Sequence, residues 1–105
     1  MNPIGMTKYL PLGSVVLLTG GRKRVMVFGR HLCDTASGRW WDYVACPFPE
    51  GSMGDEYTYL FNHDQVERVF FVGLQDSEEM AYQDALSQSD AKLARPGDSC
   101  GEADA

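Results

Sequence analysis

The chain has 105 residues, 44% of them hydrophobic and 23% charged, the size and composition of one globular domain with a single modest core. Its longest aliphatic run, Val15 to Leu18, is far too short to span a bilayer, and no cationic segment leading into an apolar one opens the sequence, so a cytoplasmic protein is expected. The net charge of −6 sits beyond residue 75, where eight acids face Lys92 and Arg95; the seven acids and seven bases before residue 76 cancel.

That neutral body is itself divided. Residues 8 to 39 carry six bases against Asp34, and residues 40 to 75 carry six acids against Arg68, a polarity that either pairs across strands or orients a partner. The three cysteines, Cys33, Cys46 and Cys100, are widely spaced and odd in number, so reduced thiols are expected.

In chain order, Pro11-Leu12-Gly13 reads as a turn leading into a first strand, Ser14 to Thr19. Gly20-Gly21-Arg22-Lys23 then closes a hairpin onto a second strand, in which Val25, Val27 and Gly29 alternate with Met26 and Phe28. After the turn-like segment 32–38 comes a third strand, Arg39 to Cys46. Strict alternation places Trp41 and Tyr43 on the core side and Trp40 outward with Asp42.

Pro47 and Pro49 end that strand and hold Phe48 between them. A fourth short strand, Tyr57 to Phe61, is followed by Asn62 and Gln65 at capping-box spacing. The unbroken apolar run Val69 to Gly73 is expected to be a fifth strand buried on both faces. Asp76 and Glu79 open a helix that must stop before Pro96, with Tyr82, Leu86 and Leu93 as a thin apolar stripe. The expected organisation is a β domain over 1–75, a helix over 76–95 and a disordered tail over 96–105. The expected fold class is mainly β (α+β): a small five-stranded, partly open SH3-like barrel, or a meander, with a C-terminal α-helix.

No assembled catalytic pattern stands out. Cys46, His63 and Asp64 read as a buried thiol and two turn residues, and no serine lies in a strained elbow motif. His31 and Cys33 lack the close pairing that zinc sites favour, and Glu50, Asp55 and Glu56 lie in a solvated glycine-containing loop. An enzyme is therefore not expected, nor any metal or cofactor. Trp40, Trp41, Arg30 and Arg39 have the residue types of a nucleic-acid surface, but the overall acidity opposes a phosphate backbone, and nucleic acid is not the expected partner.

Taken together, Tyr9-Leu10-Pro11-Leu12-Gly13-Ser14, Gly20-Gly21, Val25 to Arg30, Trp41-Asp42-Tyr43-Val44 running into Pro49-Glu50-Gly51, Phe61 to Val66 and Phe71-Val72-Gly73 form a recognisable series. The series resembles the bacterial family known as domain of unknown function 4176. Members of that family are encoded beside type VII secretion loci and LXG-type toxins. The resemblance implies a cytoplasmic accessory or chaperone-like protein that binds a toxin or effector, with an immunity protein as the alternative. The residues expected to meet such a protein partner are Trp40, Phe48, Arg30 and Arg39 on the body and Tyr82 and Leu86 on the helix; an open strand edge also leaves room for a homodimer.

Overall fold

Short apolar stretches punctuated by glycine turns become five strands. The computed structural model describes residues 9–92, with side chains described as far as residue 88. The strands are β1 (Val15–Leu18), β2 (Arg24–Asp34), β3 (Arg39–Pro47), β4 (Tyr59–Phe61) and β5 (Val66–Phe71), followed by helix α1 (Ser77–Lys92). They form one antiparallel sheet in the order β4-β3-β2-β1-β5. The first four strands run as a meander, and β5 returns to the far side of β1. Edge strands β4 and β5 do not pair with each other, so the sheet stays open and is not a closed barrel. Leu93 and the tail expected over 96–105 lie outside the described residues.

Local signals act as the residues dictate. Between β4 and β5 a 3-10 turn, His63–Gln65, is closed by the Asn62–Gln65 capping box, with the Gln65 side-chain carbonyl accepting the Asn62 N–H at 2.9 Å. At the helix start the Asp76 carboxylate accepts the Glu79 N–H at 2.9 Å, satisfying one of the donors a helix leaves open there.

The core gathers Val16 from β1, Val25 and Val27 from β2, Tyr43 and Ala45 from β3, Phe61 from β4, Tyr9 from the segment before β1 and Leu86 from the helix. Strict alternation fails on β2. Its pairing with β3 slips between Val27 and Gly29, so that Val27 faces Ala45 and Arg30 faces Tyr43. The extra residue carries Arg30 to the core side, where alternation would have placed it outward. Glycine is favoured at the slip, because a Cβ on residue 29 would stand 2.5 Å from Val44 Cγ1 and that side chain would have to shift.

Arg30 in turn decides how the helix docks. Its side chain is 3% exposed, and its guanidinium makes a two-pronged ion pair with Glu79 of α1, one arm being Nη2 to Oε1 at 3.0 Å. Gln83 Nε2 donates to the same carboxylate at 2.9 Å, and the Arg30 guanidinium lies 5.0 Å from the Tyr82 ring centre. The inward stripe is therefore Glu79, Gln83 and Leu86, spaced for one helix face. Of the apolar stripe read from the sequence, Leu86 belongs to this buried face, while Tyr82 is exposed.

β5 also departs from expectation. Val66 and Val69 pack partly against the core, but Phe70, Phe71 and Val72 are exposed. Two physical causes act together. The strand is an edge, paired only with β1, and the helix is drawn to Arg30 and so leaves this face uncovered. A register shift between Val15 and Val16 adds a residue on β5, so neither phenylalanine is turned into the core.

Candidate partner-binding surface

Two constellations carry chemistry, one inside the fold and one on it. The inner one joins Tyr9, His31, Asp42, Tyr43 and His63. Asp42 is 2% exposed, although its charge suggested an outward residue. Its carboxylate accepts the His63 backbone N–H at 2.8 Å and the Tyr9 hydroxyl at 3.5 Å, and lies 3.5 Å from His63 Nε2. Such bonds are what let a carboxylate lie in an interior.

Burial pushes the Tyr43 hydroxyl well above its ordinary range, so it stays protonated. It accepts the Leu10 N–H at 2.8 Å and lies 3.0 Å from His63 Nδ1, while His63 Nε2 is turned toward Asp42. The groups are turned toward one another, and the network braces β3 against the segment before β1 and the 3-10 turn. Asp42→Ala strips the His63 N–H and the Tyr9 hydroxyl of an acceptor and is expected to lower stability by about 1–3 kcal/mol, read from urea unfolding. A loss below a few tenths would show that the network is dispensable.

The outer constellation lies on the sheet face turned away from the helix. Leu17 of β1 is flanked by Arg24 on β2 and Arg68 on β5. The Arg24 guanidinium sits 5.2 Å from the Phe48 ring centre and 5.5 Å from that of Phe70, and Arg68 lies 4.9 Å from Phe70. These are stacking distances for an arginine on an aromatic ring.

Next to this ladder the surface is apolar. Phe71 is 60% exposed and pairs with Val15, and Leu74 is 75% exposed. Leu12 and Phe28 are exposed as well. They adjoin because Gly13 N–H bonds the Val27 carbonyl at 2.8 Å and Gly73 N–H bonds Ser14 Oγ at 3.0 Å, drawing the Leu12 turn and the end of β5 together. Exposed apolar side chains collected on one face mark a contact surface more often than scattered ones do.

The residues expected to bind a partner are divided among several places. Phe48 joins the outer ladder. Trp40 is half-buried and stacked on the His31 ring, with centres 4.7 Å apart. Arg39 is exposed at the β2–β3 hairpin, opposite Asp34. Arg30 and Leu86 are corrected outright: Arg30 is the helix anchor and Leu86, 6% exposed, is core, so neither is free to meet another molecule. Tyr82 is exposed above Arg30.

Trp41 does not join the core that Tyr43 closes; it is half-buried near the hairpin, its Nε1 3.5 Å from Ser37 Oγ. Nothing in the sequence distinguishes Phe70, Phe71, Leu12 and Leu74 as binding residues. Their signal was the run Val69 to Leu74, which reads equally as a buried strand.

Among the described residues no group of three histidines, cysteines or acids is placed to hold a metal, and no helix is long and apolar enough to cross a membrane. Cys46 is a buried free thiol, as expected, whereas Cys33 is disulfide-bonded, against the expectation of reduced thiols.

The fold and surface define a small open antiparallel sheet with a salt-bridged helix on one face and an exposed apolar patch beside two arginines on the other. The chain belongs to the family described as domain of unknown function (DUF4176), whose sequence model matches residues 9–82. The match runs from Tyr9 into α1, so the helix through Tyr82 is part of the family domain and not an appendage to it. No curated protein and no solved structure matches the chain.

Proposed function

We propose that the chain is a non-enzymatic, cytoplasmic accessory protein of chaperone type, which holds a toxin or effector of a type VII (LXG-type) secretion locus through its outer sheet face. The observation that carries the binding role is the exposed group of Leu12, Phe28, Phe70, Phe71 and Leu74 beside an edge strand. A soluble partner would cover that apolar surface and gain the hydrophobic contribution of doing so. The secretion-locus partner follows from what the family resemblance implies.

Co-expression with the toxin-locus proteins of the native host tests the proposal. The expected result is a stable complex with one of them and more of it in the soluble fraction, with Phe71→Asp abolishing both effects and toxicity unchanged. Rescue from killing would instead identify an immunity protein. Failure of every locus product to bind would remove the proposal.

A further inference from the structure

We infer that the occupant of the outer face is an extended segment bearing an acidic side chain and a large apolar side chain two residues apart, added as a strand to the free edge of β5. The inference rests on the partner-binding reading above and specifies the chemistry of the partner.

Three observations combine. First, β5 pairs with β1 on one side, and among the described residues its other side carries no strand, leaving backbone donors and acceptors for an incoming chain. Second, Arg24 and Arg68 stand on this face without an ion pair among the described residues, whereas Lys23 is paired with Glu50 and Arg30 with Glu79. An arginine stacked on phenylalanine keeps the edge of its guanidinium available for a carboxylate, and the ring limits the freedom lost on binding. Third, the apolar side chains lie immediately along the strand from Arg68, at Phe70 and Phe71.

Side chains on one face of an added strand recur every second residue. A carboxylate opposite Arg68 therefore places the side chain two positions away against Phe70 and Phe71. Other occupants fit less well. Edge pairing with a second copy would bring a second Arg24 and Arg68 to this face, against which each β5 offers the single acid Glu67. A phosphate polymer would satisfy the arginines but leave Leu12, Val72 and Leu74 against a charged backbone, in a chain of net charge −6.

The test pans a phage-displayed library of random peptides on the purified full chain, then measures resynthesised peptides by fluorescence polarisation. The expected outcome is enrichment of an acid and a large apolar residue at i and i+2, in either order. The combined Arg24→Ala and Arg68→Ala change should weaken binding by about tenfold or more, as should replacing the peptide acid by its amide. Phe71→Asp should abolish binding, and amide exchange over residues 66–71 should slow in the complex. Circular dichroism confirms that each variant is folded.

Enriched peptides that lack the acid, or that bind the arginine-free variant equally well, overturn the acidic specificity and leave the partner-binding face standing. Absence of any enriched peptide, with oligothymidylate retained at low salt and lost in the arginine-free variant, overturns the inference and the face's protein-binding role together. A concentration-dependent dimer abolished by Phe71→Asp assigns the edge to a second copy and also overturns it.

Discussion

Replacing Glu79 by alanine is expected to destabilise the protein by about 3–5 kcal/mol, since it leaves the Arg30 charge buried without its partner. Arg30 is held on every side by this one arrangement. Its Nη1 also bonds the Leu10 carbonyl at 3.3 Å, Tyr82 covers it, and its Nε has no hydrogen-bond partner among the described residues. Little else is therefore available to compensate the guanidinium once Glu79 is gone.

The cost reflects an orphaned charge and not the net worth of the pair, and the two can be separated. Changing both residues together, Arg30→Met with Glu79→Leu, is expected to recover most of the lost stability, because an apolar pair of similar size has no charge to desolvate. A Glu79→Ala loss below about 1 kcal/mol in urea unfolding, the range of an exposed ion pair, would show that Arg30 finds water instead.

The same pair sets an acid limit on folding. The hydrogen bond from Arg30, chiefly, holds the Glu79 carboxyl below its ordinary value of 4.5. A carboxyl with a lowered folded pKa contributes stability above its unfolded pKa and loses it as pH falls through the folded value. Stability of the native chain should therefore decline as pH drops below about 4.5, with α1 the first element to detach. Glu79→Gln should flatten that part of the curve. Melting by circular dichroism between neutral pH and pH 3 checks it; an acid limb of unchanged slope in the variant would assign the pH dependence to other carboxylates.

Gly73→Ala is expected to cost about 3 kcal/mol or more, at the upper end of overpacking effects. A Cβ on residue 73 would stand 2.0 Å from the Leu12 carbonyl oxygen, 2.9 Å from its carbon and 3.3 Å from the Ser14 nitrogen. All three are backbone atoms, so no side-chain rotation relieves the contact. The chain has to separate the end of β5 from the turn before β1, which also breaks the Gly73 N–H to Ser14 Oγ bond inside a buried site. The Ser14 hydroxyl itself donates to the Pro11 carbonyl at 2.7 Å, so the disturbance reaches that turn too.

The contrast is with Gly29, whose added Cβ would meet a methyl of Val44 that can move. Gly29→Ala should therefore cost less than Gly73→Ala in the same urea measurement, and the reverse order would show that the β2 slip is the tighter site. Leu12 and Leu74 flank Gly73, so its substitution should also weaken partner binding, although neither residue is changed.

Much of the local structure was legible because it depends on neighbours in sequence. Glycine pairs marked the β1–β2 hairpin, Pro47 and Pro49 marked the end of β3, and the Asn62–Gln65 and Asp76 caps were readable from side chains that reach only three residues. Which side of a strand a residue faces was less secure, since one inserted residue reverses everything after it. The slip at Gly29 did so for Arg30, and hydrogen bonding overrode polarity for Asp42, which alternation had paired with solvent.

The sequence by itself determined a small β-rich fold with a capped C-terminal helix and the family to which the chain belongs, because strand, turn and cap signals are short-range and their order is specific. Only the tertiary structure decided which apolar residues are hidden. The run Val69 to Leu74 is hydrophobic whether it is covered or bare, and its exposure depends on where the helix that follows it settles, which is decided by a contact between residues 49 apart in sequence. That position is set by one buried arginine finding one glutamate, and it leaves the phenylalanines of β5 on the open face of the sheet.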